Sequence, residues 1–168
     1  ASAGLAAYCI DYKYNYATHI FDVQATLTPN AKNGTLDVEF ATIDNAPVYY
    51  TLDGTTPSAN STLYNGKLSL NKSADIKAIA IRSNGRESRV YNERFLMSKS
   101  SLKPINLLTK AAGSYEYTGA TMLNDGLRGL DDNYKTGLWM GFQNNDLQAV
   151  IDLQNPTEIS KVAIQTAV

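Results

Sequence analysis

Residues 48–57 read Val-Tyr-Tyr-Thr-Leu-Asp-Gly-Thr-Thr-Pro, and this stretch carries most of the information about the fold. Its β-branched and aromatic residues predict a strand, which runs into an Asp-Gly turn. In such a turn Asp53 accepts backbone N–H groups, Gly54 supplies a positive φ, and Pro57 keeps the residue before it extended. A lone carboxylate has no partner for acid–base catalysis, so we interpret this stretch as a structural turn.

Short runs of alternating apolar and polar residues, separated by turn residues, continue on both sides of this stretch. They predict strands at residues 21–28, 34–43, 47–52, 62–64, 67–70, 74–82 and 87–97. Asn84-Gly85 predicts a tight hairpin between the last two strands. Seven short strands in roughly eighty residues are typical of an immunoglobulin or fibronectin type III sandwich. We therefore predict an all-β fold with a sandwich over residues 21–98.

The composition excludes several classes of protein. The chain has 168 residues, of which 43% are hydrophobic and 18% charged, so a packed core can form. No apolar run approaches the ~20 residues of a membrane-spanning helix. The single Cys9 cannot form an internal disulfide, and with the single His19 it cannot make a Cys/His zinc site. The net charge of −1 argues against a nucleic-acid partner.

The charges are arranged in three blocks. Residues 1–66 carry a net charge of −4, residues 67–110 carry +7, and residues 111–168 carry −4. We favour the interpretation that the basic residues of the middle block lie on solvated faces and edges of strands, where Lys discourages edge pairing. The functional alternative is a docking surface for an acidic neighbouring domain.

The two ends of the chain differ from its middle. Residues 1–20 form a Tyr-rich lead-in, with bulky side chains at every second position from Tyr8 to Tyr16, and we predict extended structure there. The polar segment 97–104 ends in Pro104 and is a linker candidate. Residues 105–168 form a second unit. One strand of that unit is predicted at 150–153, and another is predicted through Ile159, Val162, Ile164 and Val168.

The first motif resembles a known module. It is similar to the β-sandwich that follows the catalytic barrel in bacterial glycoside hydrolase family 20 β-N-acetylhexosaminidases, over about residues 19–96. The resemblance rests on the entry residues 19–23 and on Tyr50, Asp53, Gly54, Pro57, Ser61 and Tyr64. It implies a non-catalytic module, with the catalytic barrel in another part of the parent enzyme.

A second set of motifs resembles the opening half of a discoidin, or factor 5/8 C-type, jelly roll. These motifs occupy residues 123–129, 138–142, 150–153 and 159–162. The resemblance implies a turn at Asp125-Gly126, a core position for Trp139, and a strand containing Asp152. A single Trp is also a possible sugar-stacking platform, but we favour the core position for Trp139.

Two acidic sites require separate interpretation. Many discoidin-like sugar-binding modules hold Ca²⁺ at the turn that corresponds to Asp125, so calcium there is an open alternative to a purely turn-forming Asp. The position two residues later is Leu127, which offers no side-chain oxygen, and we favour the turn and expect no cofactor. The Asp131-Asp132 pair resembles a catalytic pair only superficially, and we interpret it as part of a solvated loop. We assign no catalytic residue.

The length of the second unit is short for a jelly roll. Eight strands with their loops need ~85 residues, whereas residues 105–168 provide 64. A catalytic barrel would need ~250 residues. We therefore expect a C-terminal piece of a larger enzyme, with residues 1–20 leading in from a preceding domain and residues 105–168 forming the N-terminal part of a discoidin-like domain.

These observations predict a non-catalytic accessory fragment of a secreted, periplasmic or cell-surface β-N-acetylhexosaminidase. Its first module would be a structural spacer and its second the remnant of a carbohydrate-binding-type domain. The expected partners are the enzyme's own catalytic barrel, glycans, and another copy of the chain through the second unit. A cell-surface adhesion or protein-interaction module is the alternative, because a sandwich fold alone does not determine function.

Overall fold

The computed structural model describes residues 18–129 and 137–166. Within them the chain forms two compact units. The first comprises residues up to Thr28 together with Leu36–Arg94, and the second comprises Pro29–Thr35 and the residues from Phe95 onward.

The strands of the sandwich match the seven that the alternation predicts. They are β1 (Gln24–Asn30), β2 (Thr35–Ala41), β3 (Val48–Thr51), β4 (Thr62–Leu63), β5 (Leu68–Leu70), β6 (Ala74–Ala80) and β7 (Tyr91–Phe95). One sheet has the order β1-β2-β5 and the other has the order β4-β3-β6-β7. The β2–β5, β3–β4 and β3–β6 pairs are antiparallel. The all-β fold class is confirmed.

The core lies between these two sheets. Leu36, Val38 and Phe40 lie at alternate positions of β2 and are buried. Of the two residues between them, Glu39 is exposed, and Asp37 is buried where it accepts hydrogen bonds from Ser69 and Lys67. Such alternation places one face of β2 in the interior. The Phe40 ring lies 6.2 Å from the Tyr50 ring on the other sheet, measured between centroids. The two sheets therefore pack face to face as a sandwich.

The Asn84-Gly85 hairpin is also confirmed. The Gly85 N–H donates to the Arg82 carbonyl at 2.9 Å, and the Arg82 N–H donates to the Arg86 carbonyl at 3.0 Å. Gly85 has a φ of +77°, whereas the φ of Asn84 is not positive. This is the pattern of a type I turn that is closed by a glycine in the left-handed region.

Each edge of the sandwich described here carries a feature that discourages pairing with another chain. Pro29 lies within edge strand β1, β4 has only two residues, and β5 has three. On edge strand β7, Glu93 alternates with Tyr91 and Phe95 and so faces the interior, where it is only 9% exposed. Short edge strands, prolines and inward-pointing charges are recognised means of preventing edge-to-edge aggregation.

The inward position of Glu93 has a consequence for stability. Burial raises its pKa, although the Arg94 N–H, which donates to Oε1 at 2.9 Å, acts in the opposite direction. A carboxyl with a raised pKa favours the folded state while protonated, so stability falls as pH rises from the unfolded value of 4.5 through the folded pKa.

We therefore expect Glu93→Gln to have a higher melting temperature than the wild type at pH 7. The difference should shrink as the pH is lowered from the folded pKa towards 4.5 and should be lost below about 4.5, where both side chains are neutral. Thermal unfolding followed by circular dichroism between pH 3.5 and 8 measures this gap. Glu39→Gln, an exposed carboxyl on β2, is the matched control. A gap of constant size over this range would contradict the prediction.

In its described residues the second unit contains one small sheet. Strands β8 (Ile105–Leu107) and β9 (Ala149–Ile151) pair antiparallel, with Asn106 opposite Val150. The strand predicted at 150–153 is thus present, but it ends at Ile151. Two 3-10 turns, Gly113–Tyr115 and Ala120–Leu123, lie between these strands along the chain.

The strand predicted through Ile159, Val162 and Ile164 is wrong for the residues that the structure describes. None of residues 155–166 is in a strand, and the exposed fractions of Val162 and Ile164 are 78% and 69%. A strand needs a neighbour that satisfies its backbone groups, and alternation does not provide one. No neighbouring strand lies beside this segment in the described part of the chain. Val168 lies outside the described residues.

The lead-in prediction concerns mainly residues outside the described range. At its described end, Thr18–Phe21 form a 3-10 turn rather than extended structure. The Asp22 N–H donates to the His19 carbonyl at 3.1 Å, which closes the chain locally. Strand β1 consequently begins at Gln24 instead of residue 21.

Candidate functional site

Asp53 is held within its own turn. Its Oδ1 accepts the Thr55 hydroxyl at 2.6 Å and the Thr55 N–H at 3.0 Å, and these bonds lower the pKa of Asp53. Gly54 has φ of +79° and donates its N–H to the Asp75 carbonyl at 2.9 Å. The Thr51 hydroxyl closes the loop by donating to the Thr55 carbonyl at 2.6 Å. All these contacts shape the turn and leave Asp53 in the arrangement of an Asx turn.

The other residues of the first motif brace the loop between β3 and β4. Tyr50 lies on the inner face against Phe40, and Pro57 is buried. The Tyr64 N–H donates to the Val48 carbonyl at 2.8 Å, which returns the chain to β3. The structure therefore places Tyr50, Asp53, Gly54 and Pro57 in one continuous strand–turn–loop region.

The Asp125-Gly126 motif also forms a turn. Asp125 is nearly buried, and its Oδ1 accepts the Leu127 N–H at 2.8 Å. Gly126 has φ of +84°, and its carbonyl accepts the Leu96 N–H at 2.8 Å. Among residues 18–129 and 137–166, no three His, Cys, Asp or Glu side chains come together as a metal-binding group. The expectation of no cofactor stays a prediction, and calcium at Asp125 stays the alternative to it.

Asn124 is a residue whose importance the sequence did not reveal. Its side-chain amide donates to the Ser100 carbonyl at 2.9 Å and to the Lys103 carbonyl at 2.8 Å. Its backbone carbonyl accepts the Leu102 N–H at 2.8 Å. Asn124 is itself buried. These three bonds hold the segment predicted as a linker. No local signal identifies them, because the partners lie more than twenty residues away along the chain.

The remaining predicted site residues have separate surroundings. Trp139 is half-buried and packs on Gly129, where a Cβ atom would come within 1.9 Å of the indole Nε1. Asp152 is exposed just after β9, and its Oδ1 accepts the Gln154 N–H at 2.8 Å. Asp131 and Asp132 lie outside the described residues.

Two arginines connect the entry of the sandwich to its hairpin. Arg82 donates from Nε to Asp44 at 2.6 Å, from a terminal nitrogen to Asp44 at 3.1 Å, and from that nitrogen to the Phe21 carbonyl at 2.9 Å. Arg89 donates from Nε to Asp22 at 2.7 Å. The bond from Arg82 lowers the pKa of Asp44. Burial acts to raise the pKa of Asp22, but the bonds from Arg89 outweigh it and lower that pKa.

Four ion pairs involve cations of the basic block, which contains ten Lys and Arg residues. Three of them join an Asp of the acidic block 1–66 to a cation of the basic block 67–110: Asp37–Lys67, Asp44–Arg82 and Asp22–Arg89. A fourth, Asp75–Arg94, lies within the basic block. These pairs form because strands from both blocks meet in the sandwich. These four cations therefore interact with the module's own carboxylates.

A three-stranded sheet packed on a four-stranded sheet is the architecture of a fibronectin-III-like module. Residues 38–95, from β2 to the end of β7, match the family model described as Fn3 associated. No curated protein matches the chain. In the described residues there is no helix long and apolar enough to cross a membrane. The family match supports an accessory module for this part of the chain.

Proposed function

We propose that the chain is a non-catalytic accessory region of a secreted glycoside hydrolase, a β-N-acetylhexosaminidase that removes terminal N-acetylhexosamine from glycans. The sandwich is the structural spacer of this enzyme, and the second unit is a carbohydrate-binding-type module. The observation that carries the proposal is the Fn3-associated match over residues 38–95. Its partners are the catalytic barrel of the same protein and the glycan substrate.

The geometry of the prominent acidic residues supports an accessory role. The oxygens of Asp53 and Asp125 accept hydrogen bonds from residues two positions ahead, as turn-forming carboxylates do. A general acid or base would instead be directed at a substrate position. The chain therefore uses these residues to build loops.

The coding sequence upstream of Ala1 tests the parent enzyme directly. We expect it to encode a barrel with an adjacent Asp-Glu pair, and we expect the isolated 168-residue chain to leave a chromogenic N-acetyl-β-glucosaminide uncleaved. An upstream array of β-sandwiches would instead favour the adhesion module. Hydrolysis by the isolated chain would overturn the accessory role.

Trp139 allows a sharp test of the carbohydrate-binding proposal, because it is the only Trp in the chain. Calorimetric titration with N-acetylglucosamine oligosaccharides measures binding, and Trp emission reports whether the sugar reaches the indole. We expect binding heat without an emission change, since the indole packs on Gly129. An absence of heat would show that the second unit is a spacer that does not bind these sugars. An emission shift would show that the bound sugar contacts Trp139.

A further inference from the structure

The segment that precedes β1 is attached to the sandwich by side chains. Thr18–Phe21 form a single 3-10 turn, and strand pairing begins only at Gln24. At the end of this turn, the Phe21 carbonyl accepts a hydrogen bond from Arg82 at 2.9 Å. The guanidinium carbon of Arg82 lies over the Phe21 ring, 4.8 Å from the ring centroid. This arrangement combines a hydrogen bond with a cation–π contact on one residue.

Arg82 is itself held in a fixed orientation. Its two bonds to Asp44 form a bidentate pair, and the exposed fractions of the two side chains are 15% and 21%. A planar guanidinium with two parallel bonds to a carboxylate has little rotational freedom. Asp44 lies in the turn after β2, and Arg82 follows β6, so the orientation of Arg82 is determined by both sheets of the sandwich.

Arg89 adds a second, more exposed attachment. Its side chain is 75% exposed, and it pairs with Asp22, the residue that follows the 3-10 turn. The Arg89 backbone N–H also donates to Asp22 at 3.0 Å, a bond that does not depend on the arginine side chain. An exposed ion pair of this kind contributes less than the largely buried Arg82 group.

We infer that Arg82, Arg89, Asp22 and Asp44 form an entry clamp that fixes the direction in which the chain enters the sandwich. With this clamp, the module acts as a rigid joint for the part of the protein that precedes Thr18. Val23, which is 7% exposed, anchors the chain in the core directly before β1. Ahead of Val23, a spacer without the clamp bonds would be a flexible tether, because the segment before β1 has no strand partner in the described structure. The inference rests on the spacer role proposed above and deepens it.

Backbone order parameters from ¹⁵N relaxation test the clamp in the 168-residue chain. In the wild type we expect values of about 0.85 for residues 19–23, equal to those of β2 and β6. In the double variant Arg82→Ala/Arg89→Ala the values for residues 19–22 should fall below about 0.6, while the buried Val23 and the strands keep theirs. Arg82→Ala alone should have most of this effect.

Two further variants keep the test decisive. Arg82→Lys retains the charge and avoids a large cavity, but it cannot make the bidentate bond to Asp44 together with the bond to Phe21. It should lower the order parameters of residues 19–22 even if Arg82→Ala does not fold. Arg94→Ala removes an exposed ion pair with Asp75 elsewhere on the sandwich and should leave the entry unchanged.

The inference fails if residues 19–23 of the wild type already have order parameters below about 0.6. It also fails if Arg82→Lys leaves them unchanged. These outcomes are independent of the upstream gene, so a missing hexosaminidase barrel would contradict the proposed function and leave the clamp standing.

Discussion

Phe40→Ala is expected to lower the free energy of unfolding of the sandwich by about 3–5 kcal/mol. The Phe40 ring lies at the centre of an aromatic cluster, with ring centroids 6.2 Å from Tyr50, 5.2 Å from Tyr64 and 6.0 Å from Tyr91. Truncation removes the only ring that contacts all three tyrosines in this cluster as described, and it leaves a cavity between the sheets. Chemical denaturation followed by tyrosine fluorescence measures the change.

Two matched variants separate packing from other effects at this cluster. Phe40→Leu fills much of the space and should cost less than half as much as Phe40→Ala. Tyr64→Phe keeps the edge-to-face ring contact with Phe40 and removes only the hydroxyl, so we expect it to cost about 1 kcal/mol or less. A cost below about 1 kcal/mol for Phe40→Ala would show that the cluster does not support the sandwich.

Gly126→Ala is expected to destabilise the second unit by about 2–5 kcal/mol. A Cβ atom at this position would come within 2.6 Å of the Phe95 ring and 2.8 Å of the Leu96 carbonyl oxygen, and the backbone φ of +84° disfavours any L side chain. The backbone carbonyl oxygen cannot move aside without weakening the Leu96–Gly126 connection. Thermal unfolding followed by Trp139 emission reports this unit directly.

Gly119 provides the control for the conformational part of this effect. Its φ is +87°, almost that of Gly126, but a Cβ atom there would meet nothing within 4 Å. Gly119→Ala should therefore show only the backbone cost of about 1–3 kcal/mol. Equal melting temperatures for the two variants would contradict the close contact at Gly126.

The strands and turns of the sandwich could be predicted from the sequence. Their signals are local, since alternation along β2 and the Asn84-Gly85 hairpin depend on neighbouring residues only. Alternation also places Glu93 on the same face as Tyr91 and Phe95, but it does not show that this face is buried. That property depends on the opposing sheet.

The side-chain contacts that hold the molecule together could not be predicted in this way. Arg82 and Asp44 are 38 residues apart, and Arg89 and Asp22 are 67 apart. Nothing in a local pattern selects one Asp from several as the partner of a given Arg. The wrong strand prediction at residues 159–164 has the same origin. Alternation shows that a segment is able to form a strand, but it does not show whether a neighbouring strand is present to pair with it.

Local residue patterns therefore specified the all-β class, the seven strands and the turns at Asp53, Gly85 and Asp125, because each needs only short-range chemistry. Packing between the two sheets determined which faces are buried, which carboxylates pair with Lys67, Arg82 and Arg89, and how the entry segment is held. Those features arise from contacts between residues distant in sequence. Such contacts exist only after loop closure has brought the strands together.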